Sequence, residues 1–252
     1  MIPIVAFATW RECLRSRSFL GLLALFIVFM ALSRLVGWIS ATDGDIVTTD
    51  VVFSLQSIIG VLVAVATGTA LMHVEIQQCT LYTVLSRPVA RWHFVVGKFL
   101  GLALALLCGQ LTMLVLSLLY LALTGATVSW PLVLAGLLTA QEIIIMAAIS
   151  LTWTTLSTPL LAAALSLATY ALGHAVHELP SFLTYVRASW GQEMIAWAAS
   201  LVPNLGRFAY RNQAVYGQEL AIGDALQTVI YGLLWIALLV TITVAVFRRR
   251  QL

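Results

Sequence analysis

The chain has 252 residues and a formal net charge of +3, with 62% hydrophobic residues, only 9% charged residues and a mean hydropathy of +1.02. A water-soluble domain carries about a quarter charged residues, so this composition excludes a soluble globular fold and implies an integral membrane protein. The apolar runs use nearly all of the length and leave no room for a separate nucleotide-binding or catalytic domain. The basic residues sit at span ends rather than in one patch, which speaks for membrane orientation and against nucleic acid.

The whole chain, 1–252, reads as one transmembrane domain. In residues 1–17, Ile4, Phe7, Trp10 and Leu14 recur every three to four positions among Arg11, Glu12 and Arg15. That spacing predicts either an amphipathic helix along the inner membrane surface or a frayed basic lead-in. Because the arginines follow apolar residues, the order is not that of a cleaved signal peptide, and the first apolar run is expected to be a permanent span. Cys13, Cys79 and Cys108 all lie away from the segments expected outside, so no disulfide is expected.

Span 1 is predicted from about Ser18 to Ile39, with Arg34 still within reach of the membrane. Asp43, Asp45 and Asp50 then mark an acidic loop before span 2, about Val51 to Val74. A polar break over 75–98 precedes span 3, whose 25 uncharged residues from Phe99 to Leu123 make about 37 Å of helix. Gly97, Gly101, Ala105 and Gly109 recur every four residues there, a small-residue ridge that lets another helix approach closely. Span 4 starts near Pro131. The 35 uncharged residues from Ile143 to His177 are too many for one crossing, and Pro159 splits them into a tight hairpin of spans 4 and 5.

Residues 179–224 form the longest polar segment and are read as one or two helices dipping into the outer leaflet, with an aromatic belt of Tyr185, Trp190, Trp197, Phe208, Tyr210 and Tyr216. Span 6, Ala225 to Phe247, has 23 uncharged residues and ends in Arg248-Arg249-Arg250. Six spans put both ends on one side. If that side is inside, it holds nine of the 13 basic residues, the bias expected of cytoplasmic termini.

Glu142 is the clearest anomaly. It lies eleven residues beyond Pro131, roughly 17 Å along a helix and close to the bilayer centre, where a carboxylate must be protonated, paired or hydrated. Arg34 is the only basic residue at comparable depth, so a pairing of Arg34 with Glu142 is expected, as a structural link or as part of a transport path. The spacing of His174, His177 and Glu178 could place two imidazoles on one helix face, but a zinc site needs three or four ligands and no obvious extra ligand is nearby in sequence. They are therefore expected to be interface residues at a span end, and no metal site is assigned. With no phosphate-binding glycine loop, serine elbow or paired carboxylates, no catalytic residue is assigned either.

The break is the remaining feature. Glu75 stands where span 2 leaves the membrane, and Thr80, Leu81, Val84 and Leu85 can form the apolar face of a short helix. Ser86-Arg87-Pro88 turns the chain back, and Arg91 and Lys98 anchor span 3. The sequence Glu75-x-x-x-Cys79-Thr80-Leu81, then Leu85-Ser-Arg87-Pro88-Val-Ala-Arg91, then Gly97-Lys98-Phe-Leu-Gly101, resembles the break between spans 2 and 3 of export-type ABC permeases. Cys79 stands where that family usually has glycine. Ser157-Thr158-Pro159 after Glu142, Val202-Pro203-Asn204 with Val215-Tyr216-Gly217, and Tyr231-Gly232 through Arg250 extend the likeness over most of the chain. It is closest to the multi-copper-enzyme maturation type.

The resemblance implies an all-α, six-span half-transporter of the type V exporter kind in a bacterial or archaeal cytoplasmic membrane. It further implies a second permease chain as partner, as a homodimer or heterodimer, and a separate ABC ATPase that binds ATP and Mg; this chain itself carries no cofactor. Glu75 to about Leu85 would be the coupling helix resting in a groove of the ATPase, with Arg87, Pro88, Arg91 and Lys98 completing the contact and turn. Two other readings stand beside it. One is a membrane scaffold that passes ATPase work to an extracytoplasmic partner without moving a solute. The other is an intramembrane enzyme or proton-coupled carrier resting on Glu142 and the histidines.

Overall fold

A computed structural model describes residues 2–39, 44–77, 91–126, 128–183, 197, 199–216 and 222–249, which are helices joined by short turns, with no strand among them. Helix α1 (Ile2–Arg15) leads into α2 (Arg17–Ile39), α3 (Gly44–Gln77), α4 (Arg91–Thr124), α5 (Trp130–Leu156) and α6 (Pro159–Leu183). A 3-10 turn (Leu205–Phe208), the short α7 (Arg211–Val215) and α8 (Ile222–Arg249) follow. Six of these, α2 to α6 and α8, are long and apolar enough to cross a membrane, so the chain is a multi-pass membrane protein. Six crossings bring α1, the facing ends of α3 and α4, and the end of α8 to one face, here the terminal face. The opposite, distal face carries the turn after α4 and the segment before α8.

Local chemistry sets the helix ends. Ser16 accepts a hydrogen bond at its Oγ from the Phe19 N–H, 3.2 Å, and so caps α2 after a one-residue corner. Gly125 adopts a positive φ of 84°, and the Ala126 N–H reaches back to the Leu121 carbonyl at 3.0 Å. This glycine C-cap stops α4 where the sequence turns to Thr124-Gly125. Pro159 opens α6 two residues after α5 ends, where its missing N–H leaves no bond unmade. The hairpin read from this proline is the one observed.

Other boundaries move. Helix α3 begins at Gly44, seven residues before the expected Val51, so Asp45 and Asp50 lie in its first two turns rather than in a loop. The physical reason is that Asp45 suits a helix N-terminus, while Thr48 and Thr49 return their hydroxyls to the Gly44 and Asp45 carbonyls, both at 2.7 Å. Helices α3 and α4 each reach 34 residues, about 51 Å, and outrun the ~30 Å hydrocarbon core of a bilayer. Helix α6 continues past His177 to Leu183. Of the long distal segment, the described part holds the 3-10 turn and the short α7, with Leu205, Phe208 and Ala214 buried. Tyr185 and Trp190 of the expected aromatic belt lie outside the described residues.

Helix α5 forms the axis, packed by α3, α4, α6 and α8. Its hydroxyls are satisfied within the helix, as a membrane interior demands: Thr139, Thr152 and Thr154 donate to the carbonyls of Ala135, Ala148 and Ser150. A few reach neighbours. Thr152 meets Thr243 of α8 at 2.8 Å, and Gln141 donates to the Val229 carbonyl of α8 at 2.7 Å. Such links between membrane helices are worth about 0.6 kcal/mol each on average. The rim helices α2, α6 and α8 turn large apolar side chains outward, among them Trp38, Leu160, Leu233 and Leu234, as lipid contact requires.

Helix α1 does not merely lie at a surface. It docks on the first turns of α4 along the small-residue ridge. A Cβ at Gly97 would stand 2.9 Å from Val5 Cβ and one at Gly101 would collide with the Ala6 carbonyl oxygen, while further along the ridge one at Gly109 would stand 2.6 Å from Cζ of Phe19 in α2. Ala105 is fully buried on the same stripe. Ala6, Thr9 and Cys13 are the buried face of α1, while Ile4 and Phe7 remain exposed, an apolar edge fit for the membrane interface.

Candidate functional site

The expected pairing of Arg34 with Glu142 does not occur. Arg34 Nη1 meets Asp45 Oδ1 at 2.8 Å across the turn joining α2 and α3. The early start of α3 explains this, because it carries Asp45 up beside Arg34 at the membrane edge. Glu142 instead meets Nε2 of His174 through Oε1, also at 2.8 Å. Glu142 is buried, only 2% exposed, whereas the His174 side chain is one-third exposed (33%). His174, expected as an interface residue at the end of a span, thus has a buried partner on α5.

The hairpin at Pro159 builds this pair. Glu142 and His174 each lie sixteen residues from Thr158, so folding α5 against α6 at that point sets them at one depth. Tyr170, one turn before His174, presents its ring edge-on to the imidazole with centroids 4.7 Å apart. Two facts make the arrangement chemically distinctive. A lone carboxylate at this depth costs at least a few kcal/mol, and a carboxylate with a neutral imidazole still carries a full negative charge. One added proton makes the pair neutral overall.

Above the pair, towards the distal face, residues 203–216 form a cap. Its backbone presses on α6 at two positions. A Cβ at Gly173 would lie 2.8 Å from Leu205 and from the Pro203 carbonyl, and one at Gly206 would collide with His177. Three polar links fasten the cap. The Asn204 N–H donates to Tyr231 Oη at 2.8 Å, Tyr210 Oη meets Thr228 Oγ1 at 3.2 Å, and Arg211 pairs with Asp50 at 3.0 Å. The Arg207 guanidinium lies 5.0 Å over the Tyr231 ring. Phe208, fully buried, wedges beside Gly232, which also abuts Gln141.

The residues expected to couple to an ATPase are mostly out of view. Thr80, Leu81, Val84, Leu85, Arg87 and Pro88 lie outside the described residues. Glu75 falls in the last turn of α3 and Arg91 opens α4, without a described side chain for either. Lys98 is the exception. It is buried, its ammonium stands 3.6 Å from Glu12 of α1 and 5.7 Å from the Phe94 ring centroid, and so it ties α1 to α4. Among the described residues no group of three or more His, Cys, Asp or Glu side chains is placed to hold a metal ion.

Sequence reasoning missed His174 as the partner of Glu142, Asp45 as that of Arg34, and Arg211 with Asp50. The equal distance of Glu142 and His174 from the proline turn was the available signal. Compared with protein-family models and with curated proteins, the chain matches none at a significant level.

Proposed function

We propose that the chain is the permease subunit of an ATP-driven exporter, in which a separate ATPase grips the segment between α3 and α4. The reading rests on the likeness of 75–101 to the coupling break of export-type ABC permeases. The observation that carries it is the length of the two flanking helices. Each is 34 residues long and continuous from the break into the bundle, so a pull on the break is transmitted to two spans as rigid levers. Helix α1, locked on the first turns of α4, stiffens the same region. In this reading the terminal face is cytoplasmic, in keeping with its excess of arginine, and a second permease chain completes the pathway.

The test is purification of the tagged chain from its own membranes, with nucleotide hydrolysis measured on the purified material. An ATP-hydrolysing subunit is expected to stay bound. Leu81→Pro or Arg87→Glu should release it or uncouple its hydrolysis from export while leaving the six spans inserted. A chain that purifies without any hydrolase, or two variants that hold the ATPase and export as before, would overturn the reading.

A further inference from the structure

We propose that Glu142 and His174 form an intramembrane proton-binding site, and that the proton held there keeps the distal cap seated. The geometry defines one exchangeable proton. With the imidazolium form, Nε2–H donates to Glu142 Oε1 at 2.8 Å and Nδ1 carries the second proton. The carboxylate is buried while one-third of the imidazole surface is open, so the way out for the proton is through His174. When the Nδ1 proton passes to a water molecule, the Nε2–H···O bond survives but the carboxylate loses its counter-charge. A net negative charge then sits where the surroundings cannot solvate it.

Both partners are one residue away from the cap's footing. His174 lies between Gly173 and His177, the two positions of α6 on which Pro203, Leu205 and Gly206 rest. Glu142 follows Gln141, which bonds α8 at Val229 and abuts Gly232 beside Phe208. Relaxing the charged pair towards water therefore shifts the two surfaces that hold 203–208. Ionisable groups around the site include Tyr170, His177 and Glu178 on α6, Asp50 on α3 with Arg211 on α7, and Arg207 over Tyr231 of α8. Gln110 of α4, uncharged, lies against Gly60 beside Ile143. His177, the other imidazole on α6, is the control.

The experiment uses the full chain in liposomes, with Cys13, Cys79 and Cys108 replaced by serine and Leu205→Cys introduced. A membrane-impermeant maleimide reports its exposure, divided by the labelling of a parallel Tyr216→Cys chain, which removes the intrinsic pH dependence of the thiol reaction. From about pH 6 to about pH 9, a range spanning histidine's ordinary charge change, the ratio should rise several-fold. In Glu142→Gln it should stay low and flat, because a neutral amide needs no counter-charge. The double variant Glu142→Gln/His174→Gln should also be flat and guards against misfolding of the single one. A flat ratio in the parent overturns the proposal, as does a rise that persists in both variants or vanishes only in His177→Gln.

Discussion

Alanine at Gly101 sets a methyl group against the Ala6 carbonyl oxygen and 2.6 Å from Thr9 Cβ. Neither neighbour is the loose end of a side chain, so α1 must move off α4. Overpacking of this kind costs about 1–3 kcal/mol. Gly21 of α2 has nothing within 4 Å of a built Cβ, so Gly21→Ala should be neutral or gain about 0.5–1 kcal/mol from reduced chain entropy. Thermal unfolding in detergent of the two variants should move in opposite directions, or Gly101→Ala alone should fall. Cys13 reports the same contact chemically. Burial, helped by Glu12 and opposed by Lys98, pushes its thiol from 9.0 up to about 11. Because the folded value lies above the unfolded one, the thiol's contribution to α1 docking is complete below pH 9.0 and is lost as pH rises to about 11. Alkylation, which needs the thiolate, should be slow near neutrality, and its pH profile should drop back towards 9.0 once α1 is undocked by denaturant.

At the scale of elements, the cap depends on one ring. Phe208 is fully buried between α5, α6 and α8, and truncating such a side chain costs about 3–5 kcal/mol. Phe208→Ala should speed proteolysis within 203–216 while the spans stay inserted, whereas Trp197→Ala, at a side chain 70% exposed, should change nothing. This cap was the least legible part of the sequence. Its residues follow neither a helical nor a strand period, and the pattern of aromatics fits a membrane belt as well as a folded lid. The spans were legible because twenty apolar residues in a row admit few alternatives, and Pro159 marked the hairpin because proline cannot sit inside it. The Glu142 partner was missed for a definite reason: counter-charges were sought among arginines and lysines, and an imidazole counted as uncharged. The ridge on α4 showed that a helix would approach, without showing that α1 would fill its Gly97–Gly101 end and α2 its Gly109 end.

For the whole molecule, everything about partners turns on which face meets the cytoplasm. The six crossings fix only that α1, the break and the end of α8 share one face, and that the cap belongs to the other. Charge supplies the direction. Arg11, Arg15 and Arg17 are exposed on or beside α1, and the chain closes on Arg248-Arg249-Arg250. At the distal face Arg34 and Arg211 are each neutralised by an aspartate. The positive-inside rule counts Lys and Arg near span ends and gives acidic neighbours little weight. The expected direction therefore rests on the larger number of arginines at the terminal face and not on the pairing of Arg34 and Arg211. In intact cells an impermeant thiol reagent should label Tyr216→Cys, and should reach Arg11→Cys and Arg87→Cys only after the membrane is opened. Neutralising Arg248, Arg249 and Arg250 together should weaken this preference without inverting it, because the α1 arginines remain. The reverse labelling pattern would put the break outside, beyond the reach of any soluble ATPase. The proton site would then open towards the cytoplasm and exchange protons with the cell interior instead.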